Sequence, residues 1–477
     1  MLTIGDLPDD VLLAIYDFYV VKYRTTPRVL SDGRYWKEKI ESWQLLVHVC
    51  RQWRGLVFGS PRRLDLRLYW IPGASSTKFL DVWPALPLII YCKHPETETE
   101  TETDKAIAEL EHSDRICRIN LSCLTTSHIE NLCTAMQVPF PELECLSLTF
   151  ETSCVPVLPD SFLGGSVPRL QFLSLDAVPF PGLPKLLLSA THIVTLWLDN
   201  IPHSGYFSPG EMATCLSMLT SLDQFSLGFE SPQSCPDQNT RCSPPPSRSI
   251  LPALSQFIFK GVNEYLEVLM SRVDAPQLVE LHISLFNDIH FDTPELYQFI
   301  SRTPTLGVYN EAHLTFYSCE ALVELRSHHD YRRFNVSILC QVPDWQLSSL
   351  AQICNLSLHL LLTMENLYIY EDLYLPSDWE GDIENTEWLN LLLPFTAVKN
   401  LYLSKKVAPR IAPALQELTG RRTTEAFPAL QNLLLEGLQP SEPVQEGIAQ
   451  FISARQLTNH TIAVSLWDRY VPEQARQ

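Results

Sequence analysis

The sequence predicts an α/β protein in which a small N-terminal helical module precedes an irregular repeat solenoid with a curved parallel sheet. Three observations lead there. The hydrophobic period changes from helical to alternating within residues 43–68, one six-residue apolar template recurs along most of the remaining chain, and no catalytic motif stands out in 477 residues. The helical module is assigned residues 1–66 and the solenoid residues 67–477.

The first helix lies in "LPDDVLLAIYDFY". Pro8 suits a first helical turn, Asp9 and Asp10 fall near the positive end, and Val11, Leu12, Ile15, Phe18 and Tyr19 make one apolar stripe. Residues 20–42, with a proline, a Ser-Asp-Gly turn and many charges, read as an inserted surface loop. A second helix is expected in "WQLLVHVCRQWRGLVF", where Leu46, Val49, Cys50, Trp53, Leu56 and Val57 keep the three-and-four spacing of one face. After Gly59-Ser60-Pro61 the spacing becomes two. Leu64, Leu66 and Leu68 alternate with Arg63, Asp65 and Arg67, the pattern of a strand with one buried face.

The template is apolar-x-x-apolar-x-apolar. It reads "LECLSL" from Leu143, "LQFLSL" from Leu170, "IVTLWL" from Ile193, "LDQFSL" from Leu222, "LSQFIF" from Leu254, "LVELHI" from Leu278, "MENLYI" from Met364, "VKNLYL" from Val398 and "LQNLLL" from Leu430, with "ICRINL" from Ile116 as an earlier copy. Clear successive copies are 23 to 34 residues apart, which suits one strand and one return segment per leucine-rich repeat. The last two apolar positions of each copy should point into a shared core, so that stacked units form a parallel sheet. The asparagine that regular repeats place after the strand is missing from most copies, and the array is therefore read as irregular. Between residues 284 and 362 the template is lost, with "HLTF" and "FNVSI" as the strand candidates. Residues 95–105, alternating acid and threonine, and residues 231–249, rich in proline and serine, read as flexible loops.

Charge and cysteine usage narrow the partners. The 35 basic and 55 acidic side chains give a formal charge of -20, which repels phosphate backbones and anionic membrane surfaces. Nucleic acid and membrane are not expected partners; Arg51, Arg54, Arg62, Arg63 and Arg67 read as solvated side chains at the helix–strand corner. Thirteen cysteines, scattered singly and mostly in apolar runs, read as free thiols of a reducing compartment. The first residues lack the basic and apolar regions of a signal peptide, so a cytoplasmic or nuclear location is expected.

Two stretches of the N-terminal module resemble the F-box motif: Leu7-Pro8-Asp9-Asp10-Val11-Leu12 with Ile15, and Val49-Cys50-Arg51-Gln52-Trp53-Arg54. They match its Leu-Pro start, its apolar-x-x-Ile helix and its V-C-x-x-W-R helix. An F-box followed by leucine-rich repeats also resembles the plan of large families of fungal proteins. The resemblance implies docking on a Skp-family adaptor and through it on a cullin. The chain would then be the substrate-recognition subunit of an SCF-type E3 ubiquitin ligase, with an unknown protein as substrate. By the same resemblance Leu7, Pro8, Val11, Leu12 and Ile15 form part of the adaptor surface, with Val49, Cys50 and Trp53 packed beneath or beside them. On the residues alone they equally read as the core of a small helical cap on a leucine-rich-repeat scaffold with no ubiquitin-ligase role.

No enzyme is expected. There is no GxSxG elbow, phosphate-binding GxxxxGK[ST] loop or HExxH pair, and His328, His329 and Asp330 read as a surface loop and not as a metal or proton-relay site. Neither cofactor nor metal is implied. Binding is expected instead at the outward positions of the strands, where Trp197 and Asp199, His282, Tyr368 and Tyr370, and Tyr402 are aromatic or charged. The alternative is that return segments or the C-terminal "TIAVSLWDRY" fold over these rings and bury them.

Overall fold

The computed structural model describes residues 7–23, 46–59, 66–70, 86–92, 100–124, 126–150, 156–234, 248–286, 293–307, 309–327, 332–340, 342–356, 358–371, 384–418, 422, 424–437 and 442–467. The chain divides into two compact units, residues 1–178 and 179–477.

The first unit opens with α1 (Asp9–Tyr23) and α2 (Arg51–Gly59). Leu12 and Tyr16 of α1 and Trp53 and Val57 of α2 are buried, and the Tyr16 and Trp53 rings pack with centroids 4.9 Å apart. Residues 20–23 of the expected loop continue α1, and residues 24–45 lie outside the described ones. The second helix is shorter than expected. Residues 46–47 are helical, 48–49 form a turn, and α2 begins only at Arg51. Cys50 explains the break: its Sγ accepts the Trp53 backbone N–H at 3.5 Å, as an N-cap side chain does. Val49 and Cys50 therefore leave the apolar stripe and are exposed.

Strands β1 (Leu68–Trp70), β2 (Leu88–Cys92), β3 (Ile116–Leu124), β4 (Cys145–Phe150) and β5 (Phe172–Asp176) pair in that order, all parallel. The expected alternation is present at the start, where Leu66, Leu68 and Trp70 are buried. One loop expectation is corrected. Residues 100–105 belong to helix α3 (Glu100–Ala108), while 95–99 fall outside the described residues. The face that the acid–threonine pattern concealed consists of Thr103, Ala106, Ile107 and Leu110, all buried at helical spacing. A further helix, α4 (Thr126–Ala135), separates β3 from β4.

In the second unit the strands of the large sheet are β6 (Thr195–Ile201), β7 (Gln224–Phe229), β8 (Gln256–Gly261), β9 (Glu280–Phe286), β10 (Glu311–Phe316), β11 (Ala321–Arg326), β12 (Arg333–Leu339), β13 (Asn366–Glu371), β14 (Asn400–Leu403), β15 (Asn432–Glu436) and β16 (Ala463–Trp467). Their spatial order is β6-β7-β8-β9-β12-β11-β10-β13-β14-β15-β16. The all-parallel expectation is corrected here. Strand β11 runs antiparallel to both neighbours, because β10, β11 and β12 form a meander joined by connections too short for a crossover. "HLTF" and "FNVSI" are strands, as expected, and "ALVELR" is a third between them.

Helices return on the core side of this sheet and pack side by side: α5 (Leu183–Leu187), α6 (Pro209–Leu216), α7 (Asn263–Met270) and α8 (Pro294–Arg302), then α9 (Pro343–Leu356), α10 (Asn385–Leu392), α11 (Ala408–Gln416) and α12 (Glu442–Leu457). Most of residues 231–249 lie outside the described ones. The template explains the packing. All three apolar positions are buried in all ten copies, from Ile116, Ile119 and Leu121 to Leu430, Leu433 and Leu435. Each buried leucine contributes about 2 kcal/mol. Only at the last strand does the core row open: Val464 and Leu466, in register with Leu433 and Leu435, are exposed. Asparagine also has a role, at the strand start. Asn432 Nδ2 donates to Asn400 Oδ1, and Asn400 Nδ2 to Asn366 Oδ1, each at 2.7 Å.

Ala177 (φ 57°), Asn200 (φ 51°) and Gly437 (φ 52°) turn the chain in the left-handed region directly after Asp176, Asp199 and Glu436. Asparagine and glycine tolerate that conformation, whereas alanine bears a Cβ clash of about 1 kcal/mol. Ala177→Gly is therefore expected to raise the unfolding free energy by about 1 kcal/mol, less the entropy that glycine adds to the unfolded chain. A lower urea midpoint for the variant would show that the surroundings absorb the strain.

Candidate functional site

The two groups of side chains singled out in the sequence are positioned by different means. In the helical module, burial separates them. Leu12 and Trp53 are buried, with the Trp53 ring against Tyr16 of α1, while Val11 is 39% exposed, Ile15 41% and Val49 56%. Pro8 and Cys50 are also exposed, and Leu7 is half-buried. Pro8, Val11 and Ile15 are three and four residues apart and share one side of α1. Burial, with the Cys50 thiol and Asp9 adding to it, pushes the Tyr16 hydroxyl up to about 12, so the packed side stays uncharged at neutral pH.

On the second unit's sheet, register does the positioning. Every second strand residue faces away from the core, and strand pairing carries one row of these residues across the sheet. It runs Trp197, Ser226, Ile258, His282, Asn335, Glu324, His313, Tyr368, Tyr402, Leu434, Ser465. Four of the six expected binding residues thus lie on one row. Tyr370 lies on the adjacent row with Thr315, Leu322 and Ser337. Asp199 sits at the irregularity between Leu198 and Ile201, and its carboxylate accepts the Ser226 hydroxyl at 2.7 Å. All six side chains are half-buried.

The row does not gather them into one spot. Trp197 and Tyr402 are eight strand intervals apart, a contour of about 38 Å at ~4.8 Å per interval. Tyr368, Tyr370 and Tyr402 do come together, and His313 and Trp467 join them. The His313 ring stacks on Tyr368 at 4.5 Å and Tyr368 on Tyr402 at 4.1 Å, while Trp467 meets Tyr402 nearly at right angles at 5.5 Å. The described part of the C-terminal segment, through Trp467, adds to the sheet as edge strand β16. Only Trp467 reaches back, its indole N–H donating to the Leu403 carbonyl at 3.3 Å.

Beside the rings, on the same outward face, lie polar pairs that the sequence reading missed. Glu311, His313 and Glu324 are buried although they face outward. Arg326 donates to Glu324 at 2.6 Å, and this bond raises the arginine's pKa against the opposing effect of burial. Tyr368 donates its hydroxyl to Glu311 at 3.4 Å. At the centre, Asn335 Nδ2 donates to His282 Nδ1 at 3.0 Å, which leaves the proton of the neutral ring on Nε2. The only sequence clue was "HLTF", whose His313 takes its place once the meander sets the register.

Among the described residues no group of three or more His, Cys, Asp or Glu is placed to hold a metal, and no helix is long and apolar enough to cross a membrane. His328, His329 and Asp330 lie outside the described residues. The nine described cysteines are free, and five of them are buried. No protein-family model and no curated protein matches the chain. Among solved structures it is similar to the leucine-rich repeat-containing protein LegL7 from Legionella pneumophila, with 12% sequence identity over 81% of this chain and 97% of that one and a TM-score of 0.27. The repeat architecture stands on the buried template and the strand register themselves.

Burial lowers the His282 pKa below its ordinary 6.5, with Glu280 and Glu324 opposing the shift. The unfolded chain therefore binds this proton more readily, and stability falls as the pH drops from about 6.5 toward the lowered folded value. Urea midpoints at pH 7.5 and pH 5.0 are expected to differ more for wild type than for His282→Gln. Equal shifts in the two proteins would assign the pH dependence to other groups.

Proposed function

We propose that the chain is a non-enzymatic substrate-recognition subunit of a cullin-based SCF-type ubiquitin ligase, in which the N-terminal helices dock on a Skp-family adaptor and the outward face of the repeats holds a protein substrate. The observation that carries this reading is the division within the helical module. Leu12, Tyr16, Trp53 and Val57 complete a packed core without Val11, Ile15 and Val49. Those three apolar side chains are exposed, as is Pro8, on the residues that resemble an F-box. Exposed apolar groups of this kind are what an adaptor would cover.

A receptor of this type needs no catalytic residue. It holds a substrate lysine within reach of a charged conjugating enzyme, so proximity acts as effective concentration. The rings on the outward face supply rigid, amphipathic contact area, the usual anchor of a protein interface. A cytoplasmic or nuclear location fits this role.

Replacing Val11 and Ile15 together by aspartate is expected to lower adaptor affinity at least ~10-fold while leaving the melting temperature near wild type, because both side chains are already exposed. Leu12→Asp should instead unfold the module. Wild-type adaptor affinity in the folded double variant, read by calorimetry with a purified Skp-family adaptor, would favour a repeat scaffold without a ligase role.

The substrate face is tested apart from the adaptor. Trp197→Ala is expected to reduce substrate capture with little change in melting temperature or adaptor binding. Tyr368→Ala should reduce capture and also cost about 1–2 kcal/mol, since its ring lies between His313 and Tyr402. A large stability loss for Trp197→Ala would mark that ring as packing and not as contact surface.

A further inference from the structure

The outward positions of the last four strands, β13 to β16, are Asn366, Tyr368, Tyr370, Asn400, Tyr402, Asn432, Leu434, Glu436, Ala463, Ser465 and Trp467. Glu436 is the one charged side chain among them. It lies directly across from Trp467 on the neighbouring strand, where side chains on one face begin about 5 Å apart. Its carboxylate accepts the Lys405 backbone N–H at 3.2 Å. Trp467 and Tyr402 stand at 81° to one another, so that two ring walls meet at a corner beside this acid.

Over the whole outward surface of the second unit's strands the charge has the same sign. Asp199, Glu280, Glu311, Glu324 and Glu436 are five acids against three bases, Lys260, Arg326 and Arg333. Arg326 is paired with Glu324, which cancels one charge of each sign, and Lys260 donates to the neutral Asn200 Oδ1, so the remaining excess is acidic. A partner that brings positive charge is favoured across the face, and at its C-terminal end the charge stands next to half-buried aromatic surface.

We infer that Glu436, Trp467 and Tyr402 form a subsite for an arginine side chain of the bound protein. A guanidinium is planar, lies flat on an aromatic ring, and offers paired N–H donors to a carboxylate; an ammonium satisfies only the charge. The corner supplies a ring to stack on and an acid at its edge. This inference rests on the outward face being the substrate-binding surface, and it gives that surface a preferred residue.

The test uses the full-length protein and fluorescein-labelled hexa-arginine, hexa-lysine and hexa-glutamate, read by fluorescence anisotropy at low and physiological salt. Hexa-arginine is expected to bind tighter than hexa-lysine, with no binding of hexa-glutamate. Glu436→Gln and Trp467→Leu should each weaken hexa-arginine by about five-fold, with folding checked by circular dichroism. Glu425→Gln, at an exposed acid paired with Arg422, serves as control and should change affinity less than two-fold. An equal effect of Glu425→Gln, or an unchanged affinity of folded Trp467→Leu, would mean diffuse attraction to an acidic protein and overturns the subsite. If wild type ignores hexa-arginine while Trp197→Ala still lowers substrate capture, the subsite is wrong and the face is right. If neither effect is seen, the face itself is wrong.

Discussion

Burial of leucine rows between neighbouring strand-and-return units is the constraint on which the rest depends. No unit closes a core alone, since its inner residues contact the units on either side and the helix layer above. Because all three template positions are occupied this way in every copy, the strands cannot slip. A shift by one residue would drive Tyr368 and Tyr402 into the core and push Leu367 and Leu401 into water. The outward face is thus the consequence of inward packing, and its chemistry was free to vary while the leucines held the register.

That freedom is used unevenly. Near β6 the face offers a half-buried tryptophan and a carboxylate held by a serine. Toward β13 and β14 it offers stacked rings beside the polar groups Glu311, His313, Glu324 and Arg326. The rings are held from beside by hydrogen bonds of Tyr368 to Glu311 and of Tyr370 with His313, and rings held in place need little reordering when contacted. The helical module is divided in a similar way: among the described residues Leu12, Tyr16, Leu46, Val47, Trp53 and Val57 are buried, while Val11, Ile15 and Val49 are exposed.

The sequence was most legible where one physical rule governed alone. The template marked the strands from β3 to β9 and from β13 to β15, because burial on one face with a bend before the strand leaves a readable trace, but it left β2 and the edge strand β16 unmarked. It failed for β10, where all six residues are buried and alternation disappears, and for β11, whose antiparallel direction depends on loop length and not on side-chain pattern. Val49 and Cys50 were misplaced because a cysteine serving as N-cap looks, in a list of apolar spacings, like one more core residue. The threonine at 103 concealed a helix in the same way, by being polar in name and buried in fact. For the candidate site, the outward residues were readable one at a time. Their common row was not, since it passes through three meander strands whose register no local pattern reveals.

The meander also bears on how the chain emerges during synthesis. Most repeat strands meet their partner a few dozen residues after they are made, so growth of the sheet can follow the ribosome. Strand β9 cannot. Its partner β12 begins 53 residues later, from Glu280 to Arg333, and two intervening strands must first be made and set aside. At translation rates of about 5–20 residues per second, an apolar strand edge waits several seconds for its cover. A chaperone that shields nascent chains would find its natural point of engagement there, midway along an otherwise sequential assembly.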